Sequence, residues 1–176
     1  MMKIIFEAHS TTKDNEKELA SGWNDVELSK LGLKQAKELG VRYKNNCPKA
    51  VFTSDLKRAY YTAKIAFANK IDIIKDKRLR EIDYGELTHR QTSEIIKEKP
   101  KYIDNPFPKG QSYQETSKNM VKFLTEIEKN YHNQTIMIIG HRATQYALEH
   151  IINKIPLNKA ITAPWQWQPG WTYIYK

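Results

Sequence analysis

The amino-acid sequence predicts an α/β fold, a three-layer sandwich in which helices flank a mostly parallel central sheet. Short apolar runs alternate along the chain with longer segments whose apolar residues recur at helical spacing, and this alternation is typical of parallel sheets. The chain has 176 residues, of which 40% are hydrophobic and 28% are charged. That length and composition fit one globular domain over residues 1–176, and they exclude collagen-like, disulfide-stapled and wholly disordered chains.

The first half of the chain predicts three strands and two helices. Consecutive apolar and β-branched residues predict strands over residues 3–6, 50–53 and 71–74. After the first strand, the polar stretch from Ser10 to Ser29 has the length of a functional loop. Apolar residues at near-helical spacing then predict a helix over residues 29–45. A second helix is predicted to begin with Ser54 as its N-cap, with Asp55 in its first turn, and to run to about Asn69.

The second half continues the alternation and ends in a tail rich in tryptophan. It begins with an extended connection over 78–84, a helix over 92–99 that is stopped by Pro100, and a loop at Pro106, Pro108 and Gly110. A helix over 112–129, a buried strand over 135–139 and a helix through Tyr146 and Ile152 are predicted to follow. The tail contains Trp165, Trp167 and Trp171, and residues 171–175 predict an edge strand. We expect the indoles to pack against the core, and a pocket wall or partner surface is the alternative.

The chain is basic, with 29 Lys and Arg residues, 20 Asp and Glu residues and a formal net charge of +9. This excess favours an anionic partner. The basic residues are scattered among acidic ones, and the sequence has no groove-reading helix or aromatic RNA-binding motif, so nucleic acid is not an expected partner. For Lys97, Lys99, Lys101 and Lys109 we expect a solvated basic face, and recognition of a second anionic group on a substrate is the alternative.

Cysteine usage and hydropathy bear on where the protein works. The single cysteine, Cys47, excludes an internal disulfide and a thiolate metal cluster, so a reducing compartment is expected. The apolar run from Ile4 to Phe6 is shorter than the core of a signal peptide, and no run of about 18 apolar residues occurs. We therefore expect a cytoplasmic protein that has no membrane partner.

Two histidines directly follow predicted buried strands. His9 comes after the first strand and His141 after the strand over 135–139. Because ligands of α/β sheets bind at the carboxyl ends of the strands, the two imidazoles could form one site. A pair of unrelated structural histidines is the alternative. Arg58 and Glu81 are the candidate cation and acid for such a site, and each also fits a plain surface residue.

Five motifs, in order along the chain, resemble those of the histidine phosphatase superfamily, which is also called phosphoglycerate-mutase-like. The first covers residues 6–12 together with Asn15, residues 21–23, residues 25–29 and Gly32, and the second covers residues 53–59 with Thr62 and Ala63. The others are residues 79–82 with Tyr84 and Gly85, residues 110–113 and residues 138–141. The resemblance extends almost from end to end and implies the fold of that family.

The same resemblance implies a metal-independent phosphatase that works on a small phosphorylated molecule without a cofactor. It implies that His9 attacks a phosphate monoester and forms a phosphohistidine, that Arg58 and His141 hold the phosphate oxygens, and that Glu81 is the general acid and base. Lining the pocket, by the same resemblance, are Thr12, Asn15, Ser21 and Gly22. Glu81 and His141 are 60 positions apart, which leaves little chain for a lid, so hydrolysis is favoured over a mutase-type phosphotransfer.

The sequence departs from the family pattern at two positions beside the histidines. The first family motif is Arg-His-Gly, and here Ala8 stands in place of the arginine. After the second histidine stands Arg142, where the family has no arginine. We hypothesise that Arg142 replaces the missing charge at the phosphate. In the alternative, Arg142 is a surface residue and the chain is a non-catalytic module that binds a phosphorylated ligand. Homodimer formation is left open.

Overall fold

The computed structural model describes residues 1–68 and 70–176, and these contain a five-stranded sheet. Its strands are β1 (Met2–Ala8), β2 (Val51–Thr53), β3 (Ile73–Lys75), β4 (Thr135–Gly140) and β5 (Trp171–Tyr175). Their order across the sheet is β3-β2-β4-β1-β5. Strand β4 is parallel to β1 and β2, β3 is parallel to β2, and β5 runs antiparallel to β1. The predicted mostly parallel sheet and the C-terminal edge strand are confirmed.

Seven α-helices lie within the same described residues. They are α1 (Lys13–Glu16), α2 (Lys30–Arg42), α3 (Lys57–Phe67), α4 (Thr92–Glu98), α5 (Tyr113–Tyr131), α6 (Arg142–Ile151) and α7 (Leu157–Thr162). Short 3₁₀ turns occupy Lys77–Leu79, Gly85–Leu87 and Lys99–Tyr102. None of the helices in the described ranges combines the length and the hydropathy needed to cross a lipid bilayer.

The sheet is covered on both faces because successive residues of its strands point to opposite sides. One face packs against α5 and α6 through a buried cluster that includes Ile4, Phe6, Phe123, Ile138 and Leu148. The other face packs against α2 and α3 through a cluster that includes Ile5, Leu39, Ala63, Phe67 and Met137. The predicted three-layer sandwich is therefore observed, and the near-continuous apolar runs of β1 and β4 reflect burial on both faces.

The predicted start of the second helix is wrong. The N-cap of α3 is Leu56, which makes no side-chain cap, and the hydroxyl of Ser54 instead lies 2.8 Å from Nε2 of His141. Asp55 does not serve the helix either, because both of its carboxylate oxygens accept hydrogen bonds from Arg80. The predicted end at Asn69 lies outside the described residues, and α3 as described ends at Phe67.

Three further boundaries differ from the predictions. The third strand begins two residues later than predicted, at Ile73, and the connection predicted as extended over 78–84 starts in the 3₁₀ turn Lys77–Leu79. Pro100 does not stop the helical path, since it lies at the start of the 3₁₀ turn that follows α4. Proline is tolerated there because the first turn of a helix has no partner for its missing N–H.

The tryptophan-rich tail packs largely as expected. Trp171 of β5 makes an edge-to-face contact with Phe6 of β1, at 5.7 Å between ring centroids, and a tilted contact with Trp165 at 5.9 Å. Both indoles are partly buried against core clusters. Trp167 departs from the expectation, since it is 56% exposed and its ring lies 5.8 Å from the guanidinium carbon of Arg42.

Candidate active site

The two histidines predicted to form a site lie side by side at the carboxyl edge of the sheet. Ala8 pairs with Gly140 at the ends of the parallel strands β1 and β4, so the residues that follow leave the sheet together. The backbone N–H of His9 donates to the carbonyl oxygen of Gly140 over 3.0 Å. The ring centroids of His9 and His141 are 5.1 Å apart. The sheet therefore brings the two imidazoles to one place.

The backbone of Ser10 determines which nitrogen of His9 can react. Nδ1 of His9 lies 2.8 Å from the carbonyl oxygen of Ser10, and a carbonyl only accepts, so Nδ1 carries the proton and Nε2 has a free lone pair. Burial lowers the pKa of His9 from 6.5 to about 3, and the positive charges of Arg58 and Arg142 contribute to the decrease. The imidazole is therefore neutral at physiological pH and is suited to act as a nucleophile.

His141 is buried, and one of its ring nitrogens lacks a partner. Nε2 of His141 forms a 2.8 Å hydrogen bond with the hydroxyl of Ser54. Nδ1 is buried and makes no hydrogen bond within the part of the chain that the structure describes. Burial, followed by the charge of Arg58, holds the pKa of His141 well below its usual value. A buried polar atom without a partner is costly, and its presence is typical of a group that completes its hydrogen bonding with a ligand.

Arg58 supplies a buried positive charge next to both histidines. Its side chain is 2% exposed, and its terminal nitrogens donate to the carbonyl oxygens of Asn24 (3.0 Å) and Gly22 (2.7 Å). Within the described residues it forms no ion pair with a carboxylate, and burial lowers its pKa. A guanidinium has five N–H donors, so the two carbonyls leave several unused. A buried cation with spare donors is suited to bind an oxyanion.

Glu81 lies against the first turn of α6 with one of its oxygens anchored. Oε1 accepts hydrogen bonds from the backbone N–H groups of Ile82 (2.9 Å) and Ala143 (3.2 Å). Oε2 makes no hydrogen bond to the described part of the protein. The indole N–H of Trp23 donates to the carbonyl oxygen of Glu81 over 2.7 Å and so fixes the backbone of this residue. The free oxygen of a carboxylate held in this way can exchange a proton with a bound molecule.

The other residues predicted to line the pocket shape the loop that carries His9. Thr12 is buried and forms a capping box with Asn15 at the start of α1, so each side chain bonds to the backbone of the other. The hydroxyl of Ser21 donates to Asp14 over 2.9 Å. Gly22 contributes its carbonyl oxygen to Arg58. In this structure, the hydroxyls of Thr12 and Ser21, the side-chain oxygen of Asn15 and the carbonyl oxygen of Gly22 all form hydrogen bonds within the protein.

Arg142 begins α6 directly after His141, its side chain is exposed, and its positive charge contributes to the lowered pKa of His9. Its guanidinium carbon lies 4.7 Å from the ring centroid of Trp165, and its effect on the pKa of His9 is smaller than that of Arg58. Ala8, where the family motif has an arginine, ends β1 and presents no charge. The chain therefore has an arginine directly after the second histidine, at the start of α6, and none directly before the first.

Sequence reasoning missed two groups that touch the site. Ser54 was interpreted as a helix cap, although its hydroxyl binds His141. Thr62 accepts a hydrogen bond from the backbone N–H of Ser10 (3.0 Å) and donates to the carbonyl oxygen of Arg58 (2.7 Å), which ties the nucleophile loop to α3. Both residues lie in the second motif, and their positions four residues before and four residues after Arg58 are the signal that could have pointed to them.

Comparison with known proteins settles the family. A sequence profile of the histidine phosphatase superfamily (branch 1) matches residues 4–168. The chain belongs to this superfamily. Its fold agrees with that assignment: the crystal structure of a phosphoserine phosphatase mutant from Entamoeba histolytica, in complex with phosphoserine, superposes with a TM-score of 0.82 at 24% identity, over 100% of this chain and 92% of that one. The family and fold predicted from the motifs are confirmed.

Proteins similar in sequence to this chain carry the names of phosphatases and of mutases. The chain is similar to phosphoserine phosphatase 1 of Hydrogenobacter thermophilus, with 29% identity over 168 residues that cover 90% of this chain and 80% of the relative. It is also similar to phosphoglycerate mutase 1 of Saccharomyces cerevisiae, with 35% identity over 103 residues, 55% of this chain and 42% of that protein. The enzyme class predicted from the sequence, a phosphatase of this superfamily, is supported.

Proposed function

We propose that this phosphatase hydrolyses a small phosphate monoester through a phosphohistidine at His9. The observation that carries the proposal is the pairing of an unprotonated Nε2 on His9 with Arg58, a buried cation that has no carboxylate partner among the described residues. A neutral nucleophile beside a buried guanidinium with spare hydrogen-bond donors is what in-line attack on a phosphoryl group requires. The membership of the superfamily, together with a relative named as a phosphatase, supports the same activity.

In the first step, the lone pair on Nε2 of His9 attacks the phosphorus atom, and the bond from phosphorus to the ester oxygen breaks. Arg58 and Nδ1 of His141 hold the phosphate oxygens, and Arg58 stabilises the negative charge that they share in the transition state. The leaving alkoxide takes a proton from Oε2 of Glu81 and departs as an alcohol. His9 then carries the phosphoryl group and a positive charge, which the Nδ1–H to Ser10 hydrogen bond helps to disperse.

In the second step, water replaces the alcohol. Glu81, now a carboxylate, takes a proton from the water, whose oxygen attacks the phosphorus atom of the phosphohistidine. The bond from phosphorus to Nε2 breaks, and its electron pair returns to His9. Inorganic phosphate leaves, and both His9 and Glu81 are in their starting protonation states. The two steps use the same acid and base in turn, so no further proton carrier is required.

Arg142 is proposed to supply the charge that Ala8 lacks. It is adjacent in sequence to His141, and its charge acts on His9, as the lowered pKa of that residue indicates. Thr12, Asn15, Ser21 and Gly22 are proposed to support substrate binding by holding the loop and the guanidinium of Arg58 in place. The phosphorylated small molecule is proposed as the partner, and a reducing cytoplasm as the compartment, because the single Cys47 is a free thiol.

Hydrolysis is favoured over mutase-type transfer by the short segment between the acid and the second histidine. That segment holds the 3₁₀ turn Gly85–Leu87, α4, the turn Lys99–Tyr102, α5 and β4. Since α5 and β4 belong to the sandwich core, little chain remains to cover a phosphohistidine and exclude water. A non-catalytic binding module is the competing function, and the observation behind it is Ala8.

The test measures phosphate release from phenyl phosphate, ethyl phosphate and phosphoserine. We expect the wild-type protein to release phosphate and His9→Ala to lose activity by at least about a thousandfold, as nucleophile removal does in covalent catalysis. The matched control is His132→Ala, which removes an exposed imidazole that contacts Glu128. Full activity in His9→Ala would overturn the mechanism. Tight binding of these esters without release by the wild type would favour the binding module.

A further inference from the structure

A group of hydrogen-bond donors lies beside the proposed phosphate site and has no anionic partner. It consists of Lys99, Arg142 and Trp165, and we call it the donor cluster. Lys99 is 7% exposed, and its ammonium nitrogen lies 3.4 Å from the hydroxyl of Tyr146 and 5.1 Å from the centroid of that ring. The prediction that this lysine belongs to a solvated basic face is wrong, because α6 and its tyrosine cover it.

The other two members are also short of acceptors. The guanidinium of Arg142 stacks on the ring of Trp165, and the indole nitrogen of Trp165 is buried with no hydrogen-bond partner among the described residues. Within the same residues, neither Lys99 nor Arg142 forms an ion pair with a carboxylate. Lysine, arginine and the indole N–H are donors that cannot accept. A ligand atom that bonds to any of these three groups must therefore be an acceptor.

The donor cluster adjoins the catalytic acid through the first turns of α6. Tyr146 follows Arg142 by four residues and so lies on the same side of the helix. Between them, the backbone N–H of Ala143 donates to Oε1 of Glu81. The same two side chains influence Lys99. Burial and the positive charge of Arg142 lower the pKa of Lys99, and the negative charge of Glu81 raises it. The cluster is therefore next to the point where the leaving alcohol must be protonated.

Burial of a cation is expensive unless an anion compensates it. A buried charge that has no partner of opposite sign destabilises the folded protein. Cation–π contact with Tyr146 offsets a part of that cost. A bound negative group would compensate the rest of the cost of burying the Lys99 charge. Packing alone does not explain why a lysine is buried at this position.

We propose that the donor cluster is a subsite for a second oxyanion on the substrate, a carboxylate or a second phosphoryl group carried by the leaving alcohol. The subsite rests on the proposed function, since it takes the part of the substrate that departs from the phosphohistidine. Arg142 attracts both anions in this proposal, because its positive charge lowers the pKa of both His9 and Lys99. The enzyme thereby selects doubly anionic esters over simple ones.

Three phosphate esters test the proposal: ethyl phosphate, 2-phosphoglycolate and ethane-1,2-diol bisphosphate. Their alcohols all have two carbons and differ in the group on the second carbon. Their binding is measured by calorimetry on the His9→Ala variant, which cannot form the phosphohistidine. We expect at least one doubly anionic ester to bind about tenfold or more tightly than ethyl phosphate, and the preferred one identifies the second group as a carboxylate or a phosphoryl group. Equal binding of all three would overturn the subsite.

Lys99→Met, introduced into the His9→Ala variant, tests whether Lys99 causes the preference for doubly anionic esters. It keeps the length of the side chain and removes the charge, so the preference should fall by about tenfold while the melting temperature is retained or raised. Lys97→Met is the matched control, since this lysine is exposed on α4, and it should keep the full preference. A lower melting temperature with an unchanged preference would assign Lys99 to packing against Tyr146 and would contradict the proposal.

The two proposals fail in different ways. If the wild-type protein hydrolyses ethyl phosphate but shows no preference among the three esters in binding, the subsite is wrong and the phosphohistidine mechanism stands. If no ester is hydrolysed but the preference persists and disappears in Lys99→Met, the subsite stands and the phosphatase mechanism is wrong.

Discussion

Nδ1 of His9 donates a hydrogen bond to the carbonyl oxygen of Ser10 over 2.8 Å, and this one contact determines which nitrogen of the ring is free. Ser10 is itself held by Thr62, whose hydroxyl accepts from its backbone N–H at 3.0 Å. The orientation of the nucleophile is therefore built into the loop after β1 and its attachment to α3. The chemistry of the site depends on backbone groups as much as on the charged side chains.

The low pKa of His9 predicts a specific loss of stability in acid. The unfolded chain takes up a proton on this residue near pH 6.5, whereas the folded protein resists until about pH 3. The unfolded state thus binds more protons between these values, and stability falls as the pH decreases through them. From pH 7 to pH 5 the contribution of His9 is about 2 kcal/mol. Urea unfolding at both pH values should show a smaller loss in His9→Ala, and equal losses would contradict the assigned pKa.

Removal of the Ser54 hydroxyl should impair catalysis more than folding. In Ser54→Ala, Nε2 of His141 loses its 2.8 Å partner, so the ring is no longer held in one tautomer and orientation. We expect kcat to fall by roughly tenfold to a hundredfold. Thr53→Val is the matched control because Thr53 is the neighbouring residue and its buried hydroxyl has no partner in the described structure. That variant should keep full activity, and equal losses in both would indicate general disruption of the end of β2.

Arg142→Ala tests whether a relocated arginine compensates for Ala8. Since Arg142 is the proposed second cation at the phosphate, kcat/KM for phenyl phosphate should fall by about a hundredfold or more. Phenyl phosphate has no second anionic group, so this measurement reports on the phosphate site alone. Arg90→Ala removes an exposed arginine that pairs with Glu94 and serves as the control. An unchanged rate in Arg142→Ala would refute the compensation.

Deletion of the chain after Ile161 should destabilise the fold severely. It removes β5, which pairs with β1 along the edge of the sheet and buries Tyr173 to 2% exposure. The truncated protein should lose its cooperative thermal transition or melt far below the full chain. Trp167→Ala is the comparison, because that indole is exposed, and its effect should stay within about 0.5 kcal/mol. A truncated chain that melts like the full one would show that the tail is not part of the core.

The sheet and the histidine pair could be predicted because each has a strong local signal. The runs that became β1 and β4 are nearly all apolar, as parallel central strands must be when both faces are covered. His9 and His141 come directly after them. Parallel strands bring their carboxyl ends together, so the positions of the two rings predicted a possible shared site at one edge, with two unrelated structural histidines as the alternative.

The partners of these residues could not be predicted, because they depend on packing between distant segments. Ser54 is a good helix cap by its local sequence, yet its hydroxyl binds a histidine 87 residues away. Lys99 resembles its three exposed neighbours in composition, and its burial is decided by Tyr146 on a helix that begins more than 40 residues later. Residue type indicated a hydroxyl at Ser54 and a charge at Lys99, and tertiary contacts determined what each of these groups faces.

The central claim is that His9 carries the phosphoryl group, and trapping that intermediate tests it most directly. The protein is mixed with excess phenyl phosphate, denatured in alkali within milliseconds and examined by mass spectrometry, since a phosphohistidine survives alkali and is destroyed by acid. We expect one added phosphoryl group on the peptide that contains His9, absent from His9→Ala and present in His132→Ala. Rapid phosphate release with no phosphoryl group on that peptide, or with the group on another residue, would contradict it.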